Sequence, residues 1–162
     1  MPGRIVEIEA LKALPRQARL IGVDLGSKTI GLALSDVERK IASPLETIAR
    51  VKFTKDAERL LALAARHAAA GMVIGLPRNM DGSEGKAAQS ARSFARNLGA
   101  MTELPLAFWD ERLSTAAVTR MLIEADRSRA RRDALVDKLA AAYILQGALD
   151  RLNGMLPDAE RA

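Results

Sequence analysis

The spacing of apolar positions changes character about a third of the way along the chain. Before residue 53 the apolar residues come in short dense runs. RLIGVDLG (19–26) and TIGLALSD (29–36) are split by a Gly-Ser-Lys turn, which predicts two strands joined tightly. IASPLETIAR (41–50) predicts a third strand at a sheet edge, because Pro44 would spoil a central ladder. After residue 53 the apolar positions recur every three to four residues. TKDAERLLALAARHAAAG (54–71) predicts a helix capped by Thr54, with Asp56 and Glu58 in its early turns and Gly71 closing it. MVIGLP (72–77) has no polar alternation and predicts a strand buried on both faces. RNMDGSEG predicts a loop, and 84–98 a helix with Ala87, Ala91, Phe94 and Leu98 on one face. LPLAFWDE (104–111) predicts another strand, Ser114 to about Ala125 a helix, ADRSRARRD a basic loop, and 133–152 a last helix.

The predicted order is βββαβαβα with one more helix at the end. An antiparallel meander leads, and crossover helices then impose parallel pairing. The expectation is a mixed five-stranded α/β sheet with helices on both faces, the element order of the ribonuclease H-like architecture. A doubly wound sheet would begin βαβ instead. Residues 1–18 read as an N-terminal extension, with a short amphipathic helix ended near Pro15. Residues 19–154 read as one domain and 155–162 as a tail.

Composition narrows the classes of function. A chain of 162 residues that is 49% hydrophobic supports a single core and is not disordered. Aromatic residues at 3% argue against a base-stacking platform. A formal net charge of +5 favours anionic partners, nucleic acid before membrane surface. With no cysteine, disulfides, thiolate metal sites and cysteine nucleophiles are excluded. The N-terminus has no signal-peptide core, and uncharged runs such as LAAAYILQGAL fall short of a membrane span. The expectation is a soluble, cytoplasmic protein.

Three acids stand out against this background. Asp24 interrupts the buried run RLIGVDLG, where an unpaired charge costs several kcal/mol. It either accepts turn N–H groups, pairs with Lys28, or holds a metal. Glu111 ends a strand, where open α/β folds place ligands, and Asp110 points to the opposite face. Its alternatives are an ion pair with Arg112 or a helix cap near Ser114. Asp137 leads the stripe Ala141, Ile144, Ala148 on the last helix, and its alternative is a surface pair with Lys138 or Arg132. Three converging carboxylates would need a hard divalent cation, bound through oxygen alone. Mg²⁺ or Mn²⁺, as one or two ions, would activate water against a phosphodiester.

RLIGVDLGSKTIGLALSD, VIGLPRNMDGSEG, WDERLST and VDKLAAAYIL, in that order, resemble the pre-16S ribosomal RNA nuclease family, also described as Holliday-junction-resolvase-like. The resemblance spans roughly residues 19–152. It implies a ribonuclease H-like fold, a divalent-metal nuclease and a role in maturing the 5′ end of small-subunit ribosomal RNA. It maps the catalytic and metal-binding acids onto Asp24, Glu111 and Asp137. Related junction resolvases carry a second acid three residues after the helix Asp, where this chain has Ala140; Asp133 is a candidate substitute. They also take an acid from another strand end, which points to the loop holding Asp81.

Among the cations, Lys28, with Thr29 beside it in the turn, is a candidate phosphate contact, as are Arg78 with Asn79 after the strand and Arg127, Arg129, Arg131 and Arg132 before Asp137. For Asn79 the alternative is a loop held by Asn79 and Asp81. His67 reads as a helix-terminal surface residue, and Trp109 and Tyr143 as core. GVDLGSKTIG also resembles the first phosphate loop of the actin, sugar-kinase and chaperone ATPases, but one domain lacks their second lobe. A non-catalytic RNA-binding or assembly module is the third class. Ribosomal precursor RNA or branched DNA is the expected partner, acted on by a monomer or homodimer.

Overall fold

The computed structural model describes residues 5–113 and 129–154, and the side chains of 129–138 lie outside that description. The strands are β1 (Ile5–Val6), β2 (Arg19–Leu25), β3 (Thr29–Ser35), β4 (Ala42–Ala49), β5 (Ala69–Leu76) and β6 (Leu106–Asp110). The helices are α1 (Phe53–Arg66), α2 (Lys86–Gly99) and α3 (Arg129–Leu152), with short 3-10 turns at Ile8–Ala13 and Glu111–Leu113. The sheet order is β1-β6-β5-β2-β3-β4. β2, β3 and β4 form the antiparallel meander, and β5 and β6 run parallel to β2. This is the ribonuclease H-like arrangement.

The sheet has six strands, not five. The added strand comes from the N-terminal segment: Ile5 and Val6 pair parallel with Leu106 and Ala107 of β6. The short amphipathic helix is present as a 3-10 turn, and its Ile8 and Leu11 are buried. α1 starts at Phe53 rather than at a Thr54 cap, because the buried Asp56 carboxylate accepts the Val51 N–H at 3.1 Å and organises the entry. Pro44 does lie in the terminal strand β4, beside a register shift that absorbs its missing donor. The expected helix from Ser114 falls outside the described residues. The basic stretch expected as a loop is helical from Arg129, since Arg and Ala are both good helix formers.

The core has two layers. α1 and α2 cover one face of the sheet through Ile21, Val23, Met72, Ile74 and Leu106. α3 covers the other through Leu20, Val73, Ala107, Trp109, Ile144 and Leu145. The direction of α3 is fixed at its C-terminal half. Gln146 accepts the Ala42 N–H and donates to the Lys40 carbonyl, both at 2.9 Å, and Asn153 donates to the Arg39 carbonyl at 2.9 Å. Residues 39–42 turn back at the end where β2 begins. The N-terminal half of α3 therefore runs toward the carboxyl ends of β2, β5 and β6.

Candidate active site

The period of two puts Asp24 on the α3 face with Leu20, and Glu111 on the same face with Ala107 and Trp109. Asp24 is 4% exposed and Glu111 8% exposed. Together with Asp56 they are the buried carboxylates of the described residues. β5 separates their strands, and its Gly75 leaves space that Glu111 occupies. Val23 pairs with Ile74 and Gly75 with Trp109, so the Asp24 position follows on beside Gly75. A Cβ at Gly75 would lie 3.2 Å from Glu111 Oε1 and 3.3 Å from its Cγ. The absence of that Cβ is what lets the Glu111 side chain lie over the sheet.

Asp137 belongs to α3. Ala141, Ile144 and Ala148 are completely buried, and position 137 continues their stripe by one turn toward the strand ends. Its side chain lies outside the described residues, as do those of Asp133, Arg129, Arg131 and Arg132, while Arg127 lies outside them altogether. Among the described residues no cluster of three or more His, Cys, Asp and Glu side chains forms. The described donors at the site are two buried carboxylates with no softer ligand, a set that fits a hard divalent cation.

The remaining predicted residues divide. Lys28 is exposed and Thr29 half-buried in the β2–β3 turn, which Arg50 holds by donating Nη1 to the Gly26 carbonyl at 2.7 Å. Arg78 is half-buried and pairs with Glu84 at 3.4 Å. Asn79 braces its own loop, donating Nδ2 to Ser83 Oγ at 3.0 Å, while Asp81 accepts from the Ser83 N–H and hydroxyl at 2.9 and 2.6 Å. Hydrogen bonds to Ser83 hold the Asp81 carboxyl below its usual range. Arg112 clamps Asp110 and donates to the Met80 carbonyl at 3.3 Å, tying this loop to β6. His67 caps the C-terminal end of α1 just before β5 begins, at the end of the sheet away from the strands' carboxyl ends, and Trp109 is buried as expected. Tyr143 is 37% exposed rather than core, because the sheet-facing positions of α3 fall at 141, 144 and 145.

Glu84 was not singled out by sequence, yet it anchors the loop base. It accepts Arg92 Nε and Nη2 at 2.6 and 2.7 Å, and Arg92 lies 5.1 Å from the Phe108 ring centroid. The Arg92 hydrogen bonds outweigh desolvation and hold the Glu84 carboxyl below its ordinary value. A depressed carboxylate stabilises the fold above its unfolded pKa and loses that contribution as pH falls through the folded one. Glu84→Gln is accordingly expected to lower Tm most at pH 7, the deficit shrinking below roughly pH 4. A Tm deficit that stays constant from pH 7 to pH 3 would show that the pair does not act through its charge.

The sheet topology defines the fold as ribonuclease H-like. Comparison with known proteins then fixes the family. The family model described as "RuvX: Holliday junction resolvase" matches residues 18–151, and the chain belongs to that family. It is 65% identical over 154 residues to a protein of Beijerinckia indica, covering 94% of this chain and 93% of that one. It is 60% identical over 161 residues to one of Methylocella silvestris, covering 98% and 99%. Both carry the name "Putative pre-16S rRNA nuclease". Among solved structures it is similar to T. thermophilus RuvC in complex with a Holliday junction substrate, at 17% identity and a TM-score of 0.49, over 86% of this chain and 98% of that one.

Proposed function

We propose that this chain is a divalent-metal-dependent nuclease that hydrolyses phosphodiester bonds in precursor 16S ribosomal RNA during 5′-end maturation. The observation that carries the reading is the burial of Asp24 and Glu111 on one face of the sheet, at the carboxyl ends of β2 and β6, the two strands that flank β5. Buried carboxylates that offer oxygen donors alone suit a hard divalent cation. Asp24, Glu111 and Asp137 would hold Mg²⁺ or Mn²⁺, as one or two ions. When bound, such an ion supplies Lewis-acid charge that lowers the pKa of a water and offsets charge on the phosphate.

The chain's own residues do the remaining work. Burial of Asp24 and Glu111 fixes their orientation and excludes competing solvent, so the oxygens are preorganised. Lys28, Thr29, Arg78 and Asn79, with Arg127, Arg129, Arg131 and Arg132, would hold the strand by its phosphates, which positions it without reading sequence. Asp81 and Asp133 remain candidate contributors. The family's description as a Holliday junction resolvase favours a second reading, cleavage of branched DNA. No helix among the described residues is long and apolar enough to cross a membrane. We place the reaction in the cytoplasm, carried out by a monomer or homodimer.

The test is cleavage of a precursor 16S transcript and of a four-way DNA junction, each with EDTA, Mg²⁺ or Mn²⁺. RNA cleavage at discrete 5′-leader positions, abolished by EDTA and restored by either ion, is expected. Faster cutting of the junction would transfer the reading to DNA. Cleavage indifferent to EDTA would remove the metal.

A further inference from the structure

We propose that the open groove between the end of β4 and α2 is a binding site for a phosphodiester backbone, continuing the substrate path away from the carboxylates. This deepens the nuclease reading above and rests on it. The groove holds about 480 Å³, and its polar lining is Arg50, Lys86, Gln89, Ser90, Ser93 and Asn97. No acid lines it. The floor contains Phe53 and Phe94, which meet edge to face at 5.6 Å.

Charge balance separates this groove from the cleft at the β1 edge. Arg59, Arg78, Arg92, Arg112 and Arg151 each pair with a carboxylate. Among the described residues Arg50 and Lys86 form no such pair. The first turn of α2 has no acid, and its N-cap Gly85 has no side-chain cap. By contrast, the larger cleft of about 590 Å³, at the β1 edge, contains Glu7, Glu9 and Asp110 among its arginines and has no preference for an anion.

Shape and position favour a nucleic-acid strand over a single phosphate. Lys86, Ser90, Ser93 and Asn97 lie along one face of α2, and the eleven residue-to-residue rises from Lys86 to Asn97 extend about 16 Å. A polar stripe that long spans several nucleotides. The groove opens at the same end of the sheet as the carboxylates, on the opposite, α1–α2 face. Arg50 donates its backbone N–H to the Lys28 carbonyl at 2.9 Å and its Nη1 to the Gly26 carbonyl at 2.7 Å. Gly26 is two residues beyond Asp24.

The test uses a fluorescein-labelled single-stranded RNA of about 20 nucleotides, in EDTA so that cleavage does not intervene. Lys86→Glu is expected to weaken binding roughly tenfold and to flatten the slope of log K against log salt by about one. Lys12→Glu, the same charge change on the Ile8–Ala13 turn, should alter neither. The chain has no cysteine, so single-cysteine variants report cleanly. Saturating RNA should slow iodoacetamide alkylation of S90C several-fold and leave K12C unaffected. Unchanged affinity and slope in Lys86→Glu, equal alkylation of S90C with and without RNA, or a parent protein that binds no RNA would each overturn the proposal. A parent that binds through Lys86 but never cleaves with Mg²⁺ or Mn²⁺ would sink the nuclease reading and leave the groove standing.

Discussion

Replacing Asp24 by Asn is expected to leave a folded protein whose metal-dependent cleavage has fallen by about 10³-fold or more, a loss of about 4 kcal/mol in transition-state stabilisation. Asn keeps the volume of Asp and one of its oxygens but removes the charge. Asp24 is 4% exposed, and the swap conserves side-chain volume at that packed position. In EDTA the variant is expected to unfold cooperatively with a Tm close to the parent's. Mn²⁺ should raise the Tm of the parent by mass action and raise that of Asp24→Asn much less. Glu111→Gln should repeat the pattern. If Asp24→Asn cuts as fast as the parent, the carboxylate has no part in the chemistry.

Sequence pattern showed where the buried acids Asp24 and Glu111 lie better than what surrounds them. The β2–β3 hairpin and β5 were legible because dense apolar runs bounded by glycine and proline have few other solutions. Glu111 was legible as a strand-end acid for the same reason. The edge strand β1 was not, since two residues carry no period; its pairing with Leu106 and Ala107 comes from tertiary contact alone. Arg129, Arg131 and Arg132 were read as loop from their charge, although their intrinsic preference is helical. Asn79 and Asp81 lie in a loop whose side chains hold one another through Ser83, a use that spacing alone does not separate from ligand contact. Gly22 and Gly75 gave a faint signal, because glycine within a buried strand marks a close approach. What approaches each could not be read from the chain, and the two differ.

That difference yields the second large effect. A Cβ on Gly22 would lie 2.7 Å from Leu145 Cβ and 2.9 Å from the Ala141 carbonyl oxygen. Neither atom is the free end of a side chain, so α3 itself must lift from β2. Gly→Ala gains about 0.4–1 kcal/mol by restricting the unfolded chain. Overpacking against a rigid helix costs about 1–3 kcal/mol, occasionally more, and wins. Gly22→Ala is expected to be about 2 kcal/mol less stable, a Tm lower by roughly 4–8 °C. At Gly75 the tightest contact, 2.5 Å, is with Ile144 Cδ1, the free end of a side chain that can rotate away, while Glu111 Cγ at 3.3 Å must shift. Gly75→Ala should therefore lose little Tm but much activity, because it displaces a carboxylate rather than a helix. Thermal unfolding and cleavage rates, both measured well below either Tm, separate the two. Equal Tm losses in both variants, or full activity in Gly75→Ala, would mean that Gly75 is not the space in which Glu111 is held.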